Sequence, residues 1–342
     1  MGYTERVVLF SHPDPGYRQL AEASLDELRH AKHLGKAVHP NVLTTRASSE
    51  GNVALVREHV FEGDTIALIG GDGTWRLFHK GLIEMAQNGS TSDAQYVSAI
   101  ESVSLHGGNS GDIARAQHGR LRKEFARPST KIKNSMRVAA WALRVEADLM
   151  GTSPDESTHL DEWVMSYAGF GKTGFGAEAL EDATYRNGLK YYRDLKLGLN
   201  ALFSNVTFDM VDANGARSVS DITIAKGHCI SKVGRFPIEH WEEGMLVAET
   251  PAGLPASLWT AASLLAGHGI GKYTDRAYTF MPTSPVLMHL DGDKPELIQP
   301  NTSVTIQPSS ATYNMLVTRA AYGPPLDKTY PDTPIHPHWM HY

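Results

Sequence analysis

The stretch DTIALIGGDGTWRLF, Asp64 to Phe78, breaks an apolar run with Gly70, Gly71, Asp72, Gly73 and Thr74, then resumes at helical spacing. A strand that ends in glycines and leads into a helix presents bare backbone N–H groups at the positive end of the helix dipole, a good place for phosphate oxygens. Glycine there permits close approach and positive φ. Asp72 is out of place beside an anion unless it holds a metal, a metal-bound water or a hydroxyl proton. Taken alone, the same five residues read equally well as a tight strand-to-helix turn capped by Thr74.

Other stretches have chemical readings of their own. Asp291-Gly292-Asp293 places two carboxylates two residues apart, and it is also an ordinary hairpin or turn signal. GFGKTGFG, from Gly169, superficially resembles a phosphate-binding P-loop, but the motif's first glycine falls on Ser166 and the match fails. His336, His338 and His341 could ligate a metal, although a Pro- and His-rich terminus is more simply a surface tail. Arg120, Arg122, Lys123, Arg127, Lys131 and Lys133 make a basic stretch, either a solvated face or a surface for anionic headgroups. Trp75, Leu77, Phe78 and Leu82 recur at helical spacing and read as core.

A formal charge of −6 with mixed signs along the chain gives no attraction for a polyanion, so no nucleic-acid partner is expected. The single cysteine, Cys229, excludes an internal disulfide and a thiolate zinc cage, which suits a reducing compartment. No apolar stretch reaches bilayer-spanning length, and the N-terminal residues lack a secretory h-region. The expectation is a cytoplasmic protein, peripheral at a membrane at most.

The 342 residues suffice for two domains. The first part alternates strand-like and helix-like patterns, as parallel α/β units do. Strand RVVLF (Arg6 to Phe10) precedes a helix with Leu20, Ala23, Leu28, Ala31 and Leu34 near one face. Strand-like AVHPNVLTT follows, then a helix with Ser49 as N-cap, then strand TIALI. A further strand is expected around Val97 to Leu105, and SMRVAAWALRVE reads as a helix from apolar spacings of three and four. From about Asp161 many short β-like runs separated by Gly, Pro, Asn and Asp suit an antiparallel sandwich or barrel-like sheet, interrupted by a long helical insertion from Ala177 to Phe203. The expected division is an α/β nucleotide-binding domain over 1–140, a β-rich lipid-substrate domain over 141–322 whose final segment could return to the first, and a tail over 323–342.

Gly-Gly-Asp-Gly-Thr after a strand resembles the nucleotide site of the superfamily of diacylglycerol, sphingosine and ceramide kinases, with NAD kinases and 6-phosphofructokinases as distant members. Further segments follow in the lipid-kinase order. LHGGNSGDIARA (Leu105 to Ala116) is similar to the second nucleotide segment, YAGFGKTGFGAEAL (Tyr167 to Leu180) to the glycine-rich opening of the second domain, and RNGLKYYRDL (Arg186 to Leu195) to the helix after it. GRFPIEHWEEGML, from Gly234, and HLDGDKPE, from His289, resemble the last two motifs. The likeness runs from about Arg6 to about Val317. It implies a parallel-sheet α/β nucleotide domain, a β-rich antiparallel second domain and a cleft between them.

The resemblance also implies the chemistry: ATP-dependent transfer of the γ-phosphate to a diacylglycerol-like or sphingoid-like hydroxyl, with Mg²⁺ as cofactor, a lipid substrate at a membrane surface, and a homodimer. Phosphoryl transfer needs positioning and charge neutralisation, hence a phosphate cradle, a metal and a carboxylate that takes the hydroxyl proton. By resemblance Asp293 is the base and Asp291 its neighbour, with Asp72 aiding the metal together with Glu243. Gly16, Gly70, Gly71, Gly73, Thr74, Gly108, Asp112 and Arg115 bind nucleotide. The chain departs from the family pattern at His12, His106, Gly111, Glu243 and Asp293, the last one methylene shorter than the usual glutamate. These departures leave a second reading, a non-catalytic nucleotide- or lipid-binding relative. No Asn-Glu dipeptide occurs, so an NAD kinase is the weaker rival.

Overall fold

A computed structural model of the chain describes residues 5–106, 117, 127–151, 157–181, 196, 199–226, 229–230, 234–235, 244–266, 271–291 and 295–318. In chain order the elements are β1 (Arg6–Ser11), α1 (Pro15–His30), β2 (Ala37–Val38), β3 (Leu43–Thr44), α2 (Ser49–His59), β4 (Thr65–Ile69), α3 (Asp72–Asn88), α4 (Thr91–Ala99), β5 (Glu101–His106), α5 (Pro128–Lys133) and β6 (Ser135–Met150). There follow β7 (Ser157–Val164), β8 (Tyr167–Gly171), α6 (Lys172–Glu181), β9 (Phe208–Asp212), β10 (Gly215–Ala225), β11 (Cys229–Ile230), β12 (Gly234–Arg235) and β13 (Met245–Pro251). The last are α7 (Leu254–Ala266), β14 (Lys272–Thr274), β15 (Tyr278–Pro282), β16 (Val286–Leu290), β17 (Glu296–Ile298) and β18 (Val304–Thr318). The described residues fall into two compact units, one within Met1–Trp141 and Ser310–Tyr342, the other within Ala142–Ile238 and Glu243–Ser309.

In the first unit β1 pairs in parallel with β2, β3 and β4, and β4 with β5. Val7, Leu9, Ala67, Ile69, Val103 and Leu105 bury one face of these strands against α1 and Ile132 of α5. The period-2 alternation sends Phe10 to the opposite face, where it meets Phe78 of α3 edge to face at 5.0 Å. Helix α1 starts at Pro15 because Asp14 accepts the Gly16 N–H and proline suits the first helical position. Its buried face is Ala21, Ser24, Leu25 and Leu28, a regular i, i+3, i+4, i+7 stripe, so Leu20 and Ala23 face solvent, contrary to expectation. The cap of α2 is Ser48, whose hydroxyl accepts the Gly51 N–H; Ser49 is already helical. Val97 lies on α4, which is closed by a capping box at Ser90 and Asp93, and the strand begins only at Glu101.

The largest local correction is β6. SMRVAAWALRVE is strand, with Val138, Ala140 and Ala142 buried at alternate positions and Val145 and Ala147 continuing the alternation beyond Leu143. Its apolar spacing satisfies both periods locally, and the ladder to β7, from Leu143↔Val164 to Met150↔Ser157, selects the extended form.

In the second unit the hydrogen-bonded order β18-β15-β9-β10-β8-β16-β17-β6 returns to its start, because β6 also pairs with β18. The ladders from β18 along this path to β6 are antiparallel, and the β6–β18 pairing closes them into a barrel. Strand β7 pairs with β6 beside this closed path, and β13 and β14 extend from β10 off it. Phe170, Phe208, Met210, Ile222, Phe280 and Met288 are among the residues filling its core, with Phe170 and Phe280 in T-shaped contact at 5.2 Å. Strand β10 pairs with β9 through Gly215 to Val219 and with β8 from Asp221 onward; its ladder to β13 starts at Val219 and shifts register between Val219 and Asp221. Gly171 ends β8 at φ +85, where any Cβ would lie 2.6 Å from the Ser220 carbonyl oxygen, so only glycine fits.

The expected parallel-sheet nucleotide-binding fold beside an antiparallel domain is therefore corrected to a mixed α/β unit and a closed antiparallel barrel. The parallel ladders do not end as a sheet of their own: β18 pairs in parallel with β5 at Met315↔Ser102 and antiparallel with β15 from Val304 to Ile306. Local alternation of strand and helix patterns cannot reveal this, since the neighbour of β5 comes from about two hundred residues downstream.

His79 sits fully buried on α3. Its Nδ1 lies 2.9 Å from the Trp75 carbonyl oxygen and its Nε2 2.8 Å from Ser102 Oγ, while its ring stacks on Trp75 at 4.1 Å. Burial pulls the imidazole down to about 3, against the weaker raising effect of the Trp75 carbonyl. The unfolded chain binds this proton below about 6.5 and the folded one does not, so stability is full above that pH and falls as the pH drops towards 3. Between pH 7 and pH 5, urea unfolding of the wild type is expected to lose about 2 kcal/mol more than unfolding of His79→Gln.

Candidate functional site

Strand β4 is buried at every position and delivers the chain to Gly70, which is also buried. A Cβ on Gly70 would fall 2.8 Å from both Cβ and Cγ2 of Thr74, so this glycine exists to let the turn fold back on the first helical turn. None of Gly70, Gly71 and Gly73 takes a positive φ, which corrects that part of the expectation. Gly71 is the N-cap of α3, with φ −80 and ψ 177, an extended geometry open to any residue. No side chain caps the helix; Thr74 is its third residue and the capping reading fails. The first helical hydrogen bond runs from Trp75 N–H to the Gly71 carbonyl at 3.1 Å. The amides ahead of it lie at the positive end of the dipole, and the Gly71 cap brings no side-chain oxygen to them.

Asp72 is the first residue of α3 and is buried. A carboxylate in the first helical turn is favoured by the dipole, so the acid that looked misplaced has an electrostatic reason to be there. The end of β1 lies beside this turn, with His12 N–H donating to the Ile69 carbonyl at 2.9 Å. His12 Nδ1 accepts the Asp14 N–H, which leaves the ring proton on Nε2, and the ring packs edge-on to Tyr17 at 5.4 Å. Gly16 is occupied by the α1 cap, its N–H donated to Asp14. Burial first, then the charges of Asp72 and Asp14, hold the Tyr17 phenol above its usual range. Tyr17 thus stands within the field of Asp72, a link that sequence reading missed because the residues are 55 apart.

These residues occupy one place in the first unit. In the order β2-β1-β4-β5 the chain winds outward on both sides of the β1–β4 pair, whose carboxyl ends carry Gly16, Gly70, Gly71, Asp72, Gly73 and Thr74. Lys131 on α5 donates to the Leu105 carbonyl at 2.5 Å, at the same end of β5, and burial lowers its ammonium to about 8. It is therefore turned onto the strand, whereas Arg127 and Lys133 of the same basic stretch are exposed.

Asp291 is in the second unit and is fully buried at φ 44. Its carboxylate accepts three consecutive backbone N–H groups: Met165, Ser166 at 2.8 Å and Tyr167 at 2.8 Å. Its own N–H donates to the Tyr167 carbonyl at 3.1 Å. Both carboxylate oxygens are engaged in fixing the connection from β7 to β8. Asp221, which sequence reading passed over, accepts Thr173 N–H at 2.6 Å, Thr173 Oγ1 at 3.0 Å and Thr223 Oγ1 at 2.7 Å. Loss of hydration pushes it up to about 6, against the lowering effect of those bonds and of Lys172. A lone carboxylate in the otherwise apolar alternation of DITIA was the available signal.

Gly108, Asp112, Arg115, Glu243 and Asp293, with His336, His338 and His341, lie outside the described residues. Among the described residues no group of three or more His, Cys, Asp or Glu is placed to hold a metal ion. None of their helices is long and apolar enough to cross a membrane.

No protein-family model matches the chain, and no curated protein matches it. Solved structures do. "A putative diacylglycerol kinase from Bacillus anthracis str. Sterne" superposes with a TM-score of 0.62 at 13% identity, over 94% of this chain and 99% of that one. "The crystal structure of a diacylglycerol kinases from Bacillus anthracis str. Sterne" does so at 0.55 and 11%, with the same coverage. The chain has the fold of these bacterial structures. At such identity the likeness is one of architecture, and it extends over nearly the whole length of the diacylglycerol kinase-like chains.

Replacing Asp291 by alanine leaves three adjacent buried amides without their acceptor. We expect Asp291→Ala to lose at least about 3 kcal/mol of unfolding free energy in urea. A loss below about 1 kcal/mol contradicts the structural role.

Proposed function

We propose that this chain is an ATP-dependent lipid kinase that transfers the γ-phosphate to a lipid hydroxyl, diacylglycerol-like or sphingoid-like, as a peripheral enzyme on the cytoplasmic side of a membrane. The observation that carries this reading is the uncapped start of α3. Gly71 has ordinary N-cap geometry, which Ser, Asp or Asn would fill with a stabilising hydrogen bond, yet it supplies no side chain. A helix N-terminus whose cap residue supplies no side-chain oxygen, at the end of a buried strand, suits a phosphate group. The architecture of the bacterial diacylglycerol kinase-like structures supports the same reading at the level of fold.

In this proposal the amides from Gly71 to Thr74 hold the phosphates, with Gly16, Gly108, Asp112 and Arg115 as further nucleotide contacts. Asp72 fits Mg²⁺ as one of the one or two carboxylates that ion takes besides phosphate oxygens, with Glu243 as the second. Bound Mg²⁺ would neutralise charge on the transferring phosphate. Asp293 takes the proton of the attacking hydroxyl, and Asp291, committed to three amides, fixes the chain two residues before it.

The test combines labelled ATP and Mg²⁺ with detergent-dispersed diacylglycerol and sphingoid bases. Transfer by the wild type and a loss of a hundredfold or more in Asp293→Asn are expected. Gly71→Asp separates the site from the fold: the new carboxylate caps α3, so thermal stability holds or rises, while nucleotide affinity falls about tenfold or more through competition with phosphate. Nucleotide binding without transfer to any lipid would select the non-catalytic reading. No nucleotide binding would remove both.

A further inference from the structure

One cation of the basic stretch around residue 130 is held against the fold with no anion to match it. Lys131 lies half-buried on α5, and its Nζ donates to the Leu105 carbonyl at 2.5 Å. An ammonium carries three N–H donors, and this bond uses one. Among the described residues no carboxylate pairs with it, and loss of hydration alone pulls the ammonium down to about 8. A cation taken from water without a counter-charge is costly, and it favours any anion that reaches it.

The fold keeps this side chain from swinging out to water. Glu27 of α1 accepts the Ser129 N–H at 3.0 Å and also the Ser129 hydroxyl, which ties the first turn of α5 to α1. Pro128 opens the helix, and Ile132 packs into the core beside Leu105. The ladder between β4 and β5 runs Leu68↔Ser104 and then Ile69↔His106, so Leu105 is passed over and its carbonyl takes the lysine instead. The ammonium therefore stands at the carboxyl end of β5, level with Ile69, the residue that leads into Gly70 and the start of α3. Neighbouring strands lie about 4.8 Å apart, so the lysine and the glycine turn border one stretch of the sheet's end.

We propose that Lys131 is a phosphate ligand: its two remaining donors take oxygens of the same phosphate chain whose other oxygens meet the amides at the start of α3. Lysine serves there as a compact point charge, which asks for no planar, bidentate geometry. That the phosphates belong to a nucleotide rests on the lipid-kinase reading; the unmatched cation does not.

The test is calorimetric binding of ATP, inorganic triphosphate and adenosine to the full chain with Mg²⁺, in wild type, Lys131→Gln, Lys131→Arg and Lys133→Gln. Glutamine keeps a donor for Leu105 and removes the charge, so thermal unfolding without ligand is expected to be unchanged or slightly raised. Lys131→Gln is expected to bind ATP and triphosphate about tenfold more weakly or worse, and Lys131→Arg to recover part of that loss. Lys133→Gln, at an exposed position of the same helix, is expected to match the wild type, and adenosine to distinguish none of the four proteins. Should Lys131→Gln unfold, Lys131→Met keeps the apolar stem and repeats the measurement. Equal affinity of wild type and the uncharged variant for ATP and triphosphate overturns the proposal. So does an equal loss in Lys133→Gln, which would show diffuse charge rather than a site. A wild type that binds triphosphate through Lys131 but does not bind ATP would sink the lipid-kinase reading and leave the phosphate site standing; binding of neither overturns both.

Discussion

The carboxylate of Asp291 is the interaction on which the second unit most depends. It gathers the amides of Met165, Ser166 and Tyr167 at the corner where β7 hands over to β8, across more than a hundred residues of intervening chain. Three adjacent buried N–H groups facing one way form a small anion site, and an ionised side chain of the protein itself fills it. The corner fixes the start of β8, which pairs on one side with β10 and on the other with β16, the strand that leads to Asp291. The interaction and the ladder it stabilises therefore close on each other, in a residue whose left-handed backbone aspartate tolerates better than most.

The first unit has a helix start whose cap residue brings no side chain to the amides. At the start of α3 the cap position is a glycine and contributes no side-chain oxygen. Neighbouring helices of the unit are capped within the chain, α1 by Asp14, α2 by Ser48 and α4 by Ser90. Those three contrast with α3 and α5, whose N-caps Gly71 and Arg127 make no side-chain hydrogen bond. Asp72 occupies part of the dipole's field from within the helix and couples to the Tyr17 phenol, so the charge at this end is already balanced in part by the fold.

Polar and apolar placements in the barrel unit have their own logic. Asp221 sits among Thr173, Thr223 and Lys172, and Lys172 in turn bonds to two helical stretches. That hydroxyl-rich layer meets α7 at Ser257, while Leu254, Leu258 and Trp259 of the same helix are exposed. Hydrogen bonds to hydroxyls contribute less per group than apolar burial but are directional, so the helix is oriented by them.

Much of the first unit was legible in the sequence because its signals are local. Alternating strands, the apolar face of α3 with Trp75, Phe78 and Leu82 in the core, and the glycine turn are all set by residues within a few positions of one another. Where two local readings tied, long-range pairing broke the tie: β6 satisfied helical and strand spacings alike, and its ladder with β7 made it a strand. The helix α7 escaped notice because Leu254, Leu258 and Trp259 are exposed while Ser257 and Ser263 are buried, the reverse of the pattern that signals a surface helix. The sequence by itself determined the element types over most of the first unit and the placing of a bare turn at the end of a buried strand. Only the tertiary structure decided that β18 would extend the β5 side and also close a barrel, and that Asp291 would serve three amides rather than solvent. Those outcomes depend on backbone groups meeting across a hundred residues or more, and a residue's neighbours in sequence carry no record of which distant amides it will satisfy.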